Sequence, residues 1–170
     1  LFSQTAAQNI EETTPSDLTP RIQIFTARLV PAAAPVYIPV VEDAYGLYGF
    51  CSDGVLQKAA HDGGDIVFGW SIWELRDILF TAEFHAVWRS PDGELLDITP
   101  KPMGESQIMF VPDASYPANF DFDNRPPNRR LCALDPAAYV ISRLADMKPG
   151  QRRYEEQRAQ KAGQKIEDWL

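Results

Sequence analysis

Four residues, Ser90-Pro91-Asp92-Gly93, constrain this chain more than any other stretch. Pro91 suits the first central position of a type I turn, Asp92 the second, and Gly93 the left-handed position that follows. Together they specify a three-residue hairpin loop closed by a bulge. The flanks, ILFTAEFHAVWR before and ELLDIT after, are rich in β-branched and aromatic residues and read as the two strands. That loop pairs Ser90 with Glu94, and by extension Val87 with Asp97 and His85 with Thr99. His85 and Asp97 then share one face as diagonal neighbours, with backbones roughly 7–8 Å apart. A two-residue loop would send them to opposite faces. The turn therefore predicts an imidazole within reach of a carboxylate.

A thiol precedes this hairpin. Cys51 opens the segment CSDGVLQKAAH, which predicts a short helix with Val55, Leu56 and Ala59 or Ala60 on one side and Gly63-Gly64 as its stop. A cysteine at a helix N-terminus has its thiolate favoured by backbone N–H groups and the helix dipole. The same N–H groups can stabilise an oxyanion on an attacked carbonyl. Cys51, His85 and Asp97 thus suit a nucleophile, its base and the base's orienter. Each residue also has a plainer account: Cys51 as a small buried hydrophobe, His85 as a satisfied core histidine, and Asp97 as a carboxylate bonded to Thr99 or a backbone N–H. Trp70, Trp73 and Glu83 are candidates for substrate contact, against core packing for the indoles and solvation for the glutamate. His61 fits a C-terminal cap on the helix, and Cys132 is read as structural.

Composition narrows the function classes. A net charge of −8 over 170 residues argues against nucleic acid as a partner, since that affinity rests on Lys and Arg. Two cysteines form no disulfide framework and fit a reducing compartment. No apolar run approaches the roughly 18 residues of a membrane span. The expectation is a cytoplasmic protein, acting in its own cell or delivered into another, with no cofactor and a protein or peptide substrate. A zinc site from Cys51, His61, His85 and Asp97 is the chemical rival, but no pair has the short spacing of zinc motifs. A non-catalytic protein-binding module on the same fold is the other alternative.

Along the chain, residues 1–20 are polar and Pro-punctuated and are taken as a flexible N-terminal arm. A strand is expected around 21–30, where Ile22 and Ile24 alternate with polar neighbours. Pro31, Pro35 and Pro39 then exclude a central strand or helix interior, leaving a surface wrap or an irregular edge. IVFGWSIWE and QIMFV predict further strands. Residues 112–130 read as a loop, Asp135 and Pro136 open a helix to about Met147, and 149–170 form a polar helix with a thin stripe through Tyr154, Ile166 and Trp169. Residues 21–148 would be the catalytic domain, and the arm or the C-terminal helix could seat a protein partner. The fold class is α+β, a mainly antiparallel sheet with the Cys51 helix packed against it.

The motifs FCSDGV, EFHAVW and LLDIT, in that order, resemble those of papain-like and transglutaminase-like cysteine enzymes, nearest to protein N-terminal glutamine amidohydrolases and related glutamine deamidases. The likeness spans about residues 48–100, less than a third of the chain. It implies a papain-like fold, a thioester intermediate, Cys51 as nucleophile, His85 as general base then acid, and Asp97 as orienter. Glutamine deamidation or proteolysis is the implied activity, with acyl transfer to an amine as a variant. Gly54 stands where those amidohydrolases carry Asn, Ile98 where they carry a second Asp, and Tyr45 where papain-type enzymes carry an oxyanion-binding Gln.

Overall fold

The computed structural model describes residues 12–75, 78–101, 103–132, 144 and 147–166. Helix α1 spans Pro20–Leu29, strand β1 Val36–Pro39, helix α2 Cys51–Asp62, β2 Asp65–Leu75, β3 Leu79–Arg89, β4 Leu95–Leu96, β5 Gln107–Pro112 and β6 Arg129–Cys132. A single 3-10 turn covers Phe122–Asn124, and helix α3 spans Pro149–Lys161. The protein is α+β, with an antiparallel sheet ordered β1-β5-β2-β3-β4 and β6 paired to β3. Two compact units divide the chain, Leu1–Leu131 and Cys132–Leu170, and strands β1 to β5 with helices α1 and α2 belong to the first.

The turn behaves as its residues dictate. Ser90 N donates to Glu94 O and Gly93 N to Ser90 O, both at 2.9 Å, with Gly93 at φ 91°. Trp88 pairs with Leu96 and Arg89 with Leu95, in the expected register. The ladder stops there, so the rungs Val87–Asp97 and His85–Thr99 expected from simple extension do not form. Asp97 leaves β3 and bonds the end of β1 instead, its N to Pro39 O and its O to Val41 N, each at 2.9 Å. This parallel bridge between Val40 and Asp97 ties together the two ends of the strand order. Asp97 is thereby held by backbone bonds on a side remote from the hairpin that delivers it.

Strands β2 and β3 form the spine, paired over their whole lengths from Asp65↔Arg89 to Leu75↔Leu79. Both faces of β3 are covered. Val87 packs with Ile38, Ile108 and Phe110. Phe84 meets Phe68, Tyr116, Phe120 and Phe122, all with ring centroids within 6.0 Å. The loop expected over 112–130 thus contributes an aromatic cover that its Pro, Asn and Asp content concealed. It also contains the 3-10 turn and the first half of β6.

Two further expectations are corrected. Residues 21–30 are helical, not a strand. Thr19 accepts from Ile22 N as N-cap and Pro20 stands in the first turn, a start signal that outweighs a short alternation. Of the arm taken to be flexible, residues 12–15 are bonded to the sheet. Thr13 exchanges backbone bonds of 3.0 and 2.7 Å with Glu74. Thr14 Oγ1 accepts from Met109 N at 2.8 Å, and Pro15 O from Tyr37 Oη at 2.8 Å. β1 is an edge strand, as three prolines require. The helix expected from Asp135 to Met147 falls largely on residues outside the described set, as does Trp169.

Candidate active site

α2 delivers the thiol. Its first residue is Cys51, its N-cap Phe50 offers no side-chain acceptor, and Gly63 ends it by donating to Ala59 O. The N–H groups of the first turn consequently face no capping side chain, and their partial positive charge lies beside the sulfur. Trp88 Nε1 donates to Gly63 O at 2.9 Å, so β3 fixes the far end of the helix. The near end meets β3 through Cys51 itself, which hydrogen-bonds the His85 ring and receives the Ala86 backbone N–H.

β3 supplies the imidazole and the parallel bridge holds the acid. His85 Nε2 lies 3.0 Å from Asp97 Oδ2. With Nε2 turned to the carboxylate, Nδ1 is the ring nitrogen left for the thiol. Cys51, His85 and Asp97 are 8, 6 and 0% exposed. Imidazole and carboxylate thus meet as expected, though Asp97 is held by its bridge to the end of β1 and not by an extended hairpin ladder, and α2 completes the line. Asp97 Oδ1 also accepts from Thr99 N at 2.9 Å, so the backbone bond weighed as an alternative coexists with the bond to His85.

A fourth member escaped sequence reasoning. Lys101 Nζ lies 2.5 Å from the same Asp97 Oδ2 and 3.5 Å from His85 Nε2, and its side chain is 5% exposed. One carboxylate oxygen thus serves an imidazole and an ammonium. The available signal was slight: a lysine four residues after Asp97 in DITPK, past a proline that ends the strand.

Electrostatics follow from this packing. Burial pushes the Cys51 thiol up, but the hydrogen bond and charge of His85 and the Ala86 N–H outweigh it and hold the thiol below its ordinary value. Burial would lower His85, yet the Asp97 carboxylate, with help from Cys51, raises it to about 9. Burial would raise Asp97, but His85 and Lys101 hold it well below the usual carboxylate range. The three shifts favour a thiolate–imidazolium pair beside an ionised acid.

A cavity of about 320 Å³ opens on Cys51 and His85, and Trp73 and Glu83 line it, Trp73 Nε1 donating to Glu83 Oε2 at 2.9 Å. Trp70 is placed elsewhere. It is buried at 4% and its Nε1 donates to Asp113 Oδ2 at 3.1 Å, so it is a packing residue and not a wall of this cavity. Tyr45 stands near His61, ring centroids 5.7 Å apart, and does not line the cavity. His61, in the last turn of α2, pairs with Asp62 at 2.6 Å. Ten residues of helix separate it from Cys51, about 15 Å at 1.5 Å per residue, which removes it from any shared zinc site. Among the described residues no three His, Cys, Asp or Glu converge so as to hold a metal ion, and no helix is long and apolar enough to cross a membrane.

Comparison with protein-family models, with curated proteins and with solved structures finds no match to this chain.

Proposed function

We propose that this protein is a cysteine-dependent amidohydrolase on a papain-like, transglutaminase-like fold, acting on a protein or peptide amide. One observation carries the reading: a thiol at the head of a helix bonded to an imidazole whose other nitrogen is held by a buried carboxylate. The Cys51 thiolate adds to the amide carbonyl, and the oxyanion forms beside the first-turn N–H groups of α2. The His85 imidazolium gives its proton to the leaving nitrogen as the C–N bond breaks, leaving a thioester on Cys51. Neutral His85 then takes a proton from water, which attacks the thioester. The C–S bond breaks, the acid leaves, and the proton returns to the thiolate–imidazole pair. Asp97 stays ionised and supports the imidazolium throughout. Glutamine side-chain deamidation and peptide cleavage are the two outcomes this chemistry serves, and an amine in place of water would give transfer.

Alkylation tests the reading. Iodoacetamide should label Cys51 well below the pH at which an ordinary thiol, pKa near 8.5, becomes reactive. It should label it faster than Cys132, with the advantage lost in His85→Ala. Equal, slow labelling of both cysteines would overturn the proposal. Mass spectrometry of glutamine-containing peptides then separates the outcomes, a gain of about one dalton marking deamidation and a fragment pair marking proteolysis, both absent in Cys51→Ala.

A further inference from the structure

The cavity beside Cys51 carries three carboxylates that form no ion pair with any described residue. Glu12, Glu83 and Glu105 all line it. Each is bonded by a neutral donor: Glu12 Oε1 by Thr81 Oγ1 at 2.8 Å, Glu83 Oε2 by Trp73 Nε1 at 2.9 Å, and Glu105 Oε1 by Thr13 Oγ1 at 3.3 Å. The cations of the same wall are engaged otherwise. Lys101 is held by Asp97. Arg125 donates to the Phe122 carbonyl at 3.4 Å, with its guanidinium 4.9 Å above the Phe122 ring.

Two polar atoms of this wall are left over. Glu105 Oε2 is buried and has no hydrogen-bond partner, and neither has Thr99 Oγ1, on a residue only 6% exposed. A buried carboxylate oxygen without a donor is costly, and the cost is removed when a ligand supplies the donor. The carboxylates ring the cavity without converging on a point, and no group able to hold a metal ion occurs among the described residues. An organic cation carrying several N–H donors suits this geometry better than a compact metal ion. The overall charge of −8 draws the same class of ligand toward the molecule.

We infer that the amide accepted by this site is flanked by a positively charged side chain, a lysine or arginine, received by Glu105 with Glu12 and Glu83. The inference rests on the catalytic reading and names its substrate class. It can be tested without knowing the substrate, through charged methanethiosulfonate reagents. The Cys51 thiolate attacks the sulfenyl sulfur, a mixed disulfide forms, and methanesulfinate leaves. Rates for the trimethylammonioethyl and sulfonatoethyl reagents are read by mass spectrometry on the Cys51 peptide, each divided by its rate with free cysteine.

The cationic reagent should be favoured by about tenfold or more at low salt. The preference should shrink severalfold in Glu105→Gln and in Glu83→Gln, and in the unmodified protein as ionic strength rises. The salt series needs no variant, so a variant that fails to fold does not spoil the test. Brisk reaction with a neutral methyl reagent but no preference for either charge overturns this inference and leaves the catalytic reading standing. A Cys51 inert even to the neutral reagent overturns both.

Discussion

Lys101 brings a second cation to the triad's acid. Its ammonium shares Asp97 Oδ2 with His85 and stands 3.5 Å from Nε2, so it opposes the imidazolium while favouring the nearby thiolate. Replacing it by methionine removes one positive charge. The imidazolium is then easier to form, so the His85 value rises from about 9. The thiolate loses a supporting charge, so the Cys51 value rises as well. Both limbs of the activity–pH profile should move to higher pH in Lys101→Met and return in Lys101→Arg. A purely structural lysine would alter the amplitude and leave the profile in place. The role was hidden in sequence because a lysine three residues before a glycine and beside two prolines reads as a loop cation. Only the chain's turn after Thr99 aims it inward.

At the scale of elements, α2 meets the segment that precedes it where there is no room to spare. A Cβ at Gly54 would stand 2.4 Å from the Tyr45 carbonyl oxygen. The position has no room for a side chain, because the segment before α2 runs against the helix face one turn from Cys51. Gly54→Ala should therefore destabilise the protein by about 1–3 kcal/mol in chemical denaturation, despite alanine's advantage of about 1 kcal/mol in helix propensity. It should also slow Cys51 alkylation, since the helix must shift to relieve the contact. Unchanged stability would mean that the Tyr45 segment yields freely. The hairpin shows the opposite case. Its turn residues fixed the loop and the first two rungs, and the departure of Asp97 from β3 came from a competing bond to β1, a strand more than fifty residues earlier in the chain.

For the whole molecule, the triad leaves a signature in stability against pH. His85 is raised, so its contribution is complete below its unfolded value of 6.5 and is lost as pH rises toward about 9. Cys51 is lowered, so its contribution grows as pH rises above its folded value, because the unfolded thiol still holds a proton that the folded thiolate has given up. Where both groups titrate the two slopes oppose one another, so stability there should fall less steeply than His85 alone would make it. Cys51→Ala removes one of them, and its unfolding free energy should then fall steadily with rising pH across the interval. A flat profile in that variant would show that His85 carries no raised value. On the acid side Asp97 is lowered, so its contribution is present above the ordinary carboxylate range and is lost as pH falls below it, in both proteins.

By itself the sequence determined what is local: the bulged hairpin turn, the Gly-terminated helix headed by Cys51, the prolines that keep β1 at an edge, and hence a thiol, an imidazole and a carboxylate on neighbouring elements. These follow from backbone preferences acting over a few residues. Tertiary structure decided the rest. It buried Trp70 on Asp113, laid residues 12–15 along the sheet and seated three aromatics of a polar loop over Phe84. It also placed Lys101 on the triad's acid and gathered Glu12, Glu83 and Glu105 around one cavity. Each of those depends on contacts between distant parts of the chain, whose partners no local pattern names, and a charge's effect is set by the charges it comes to face.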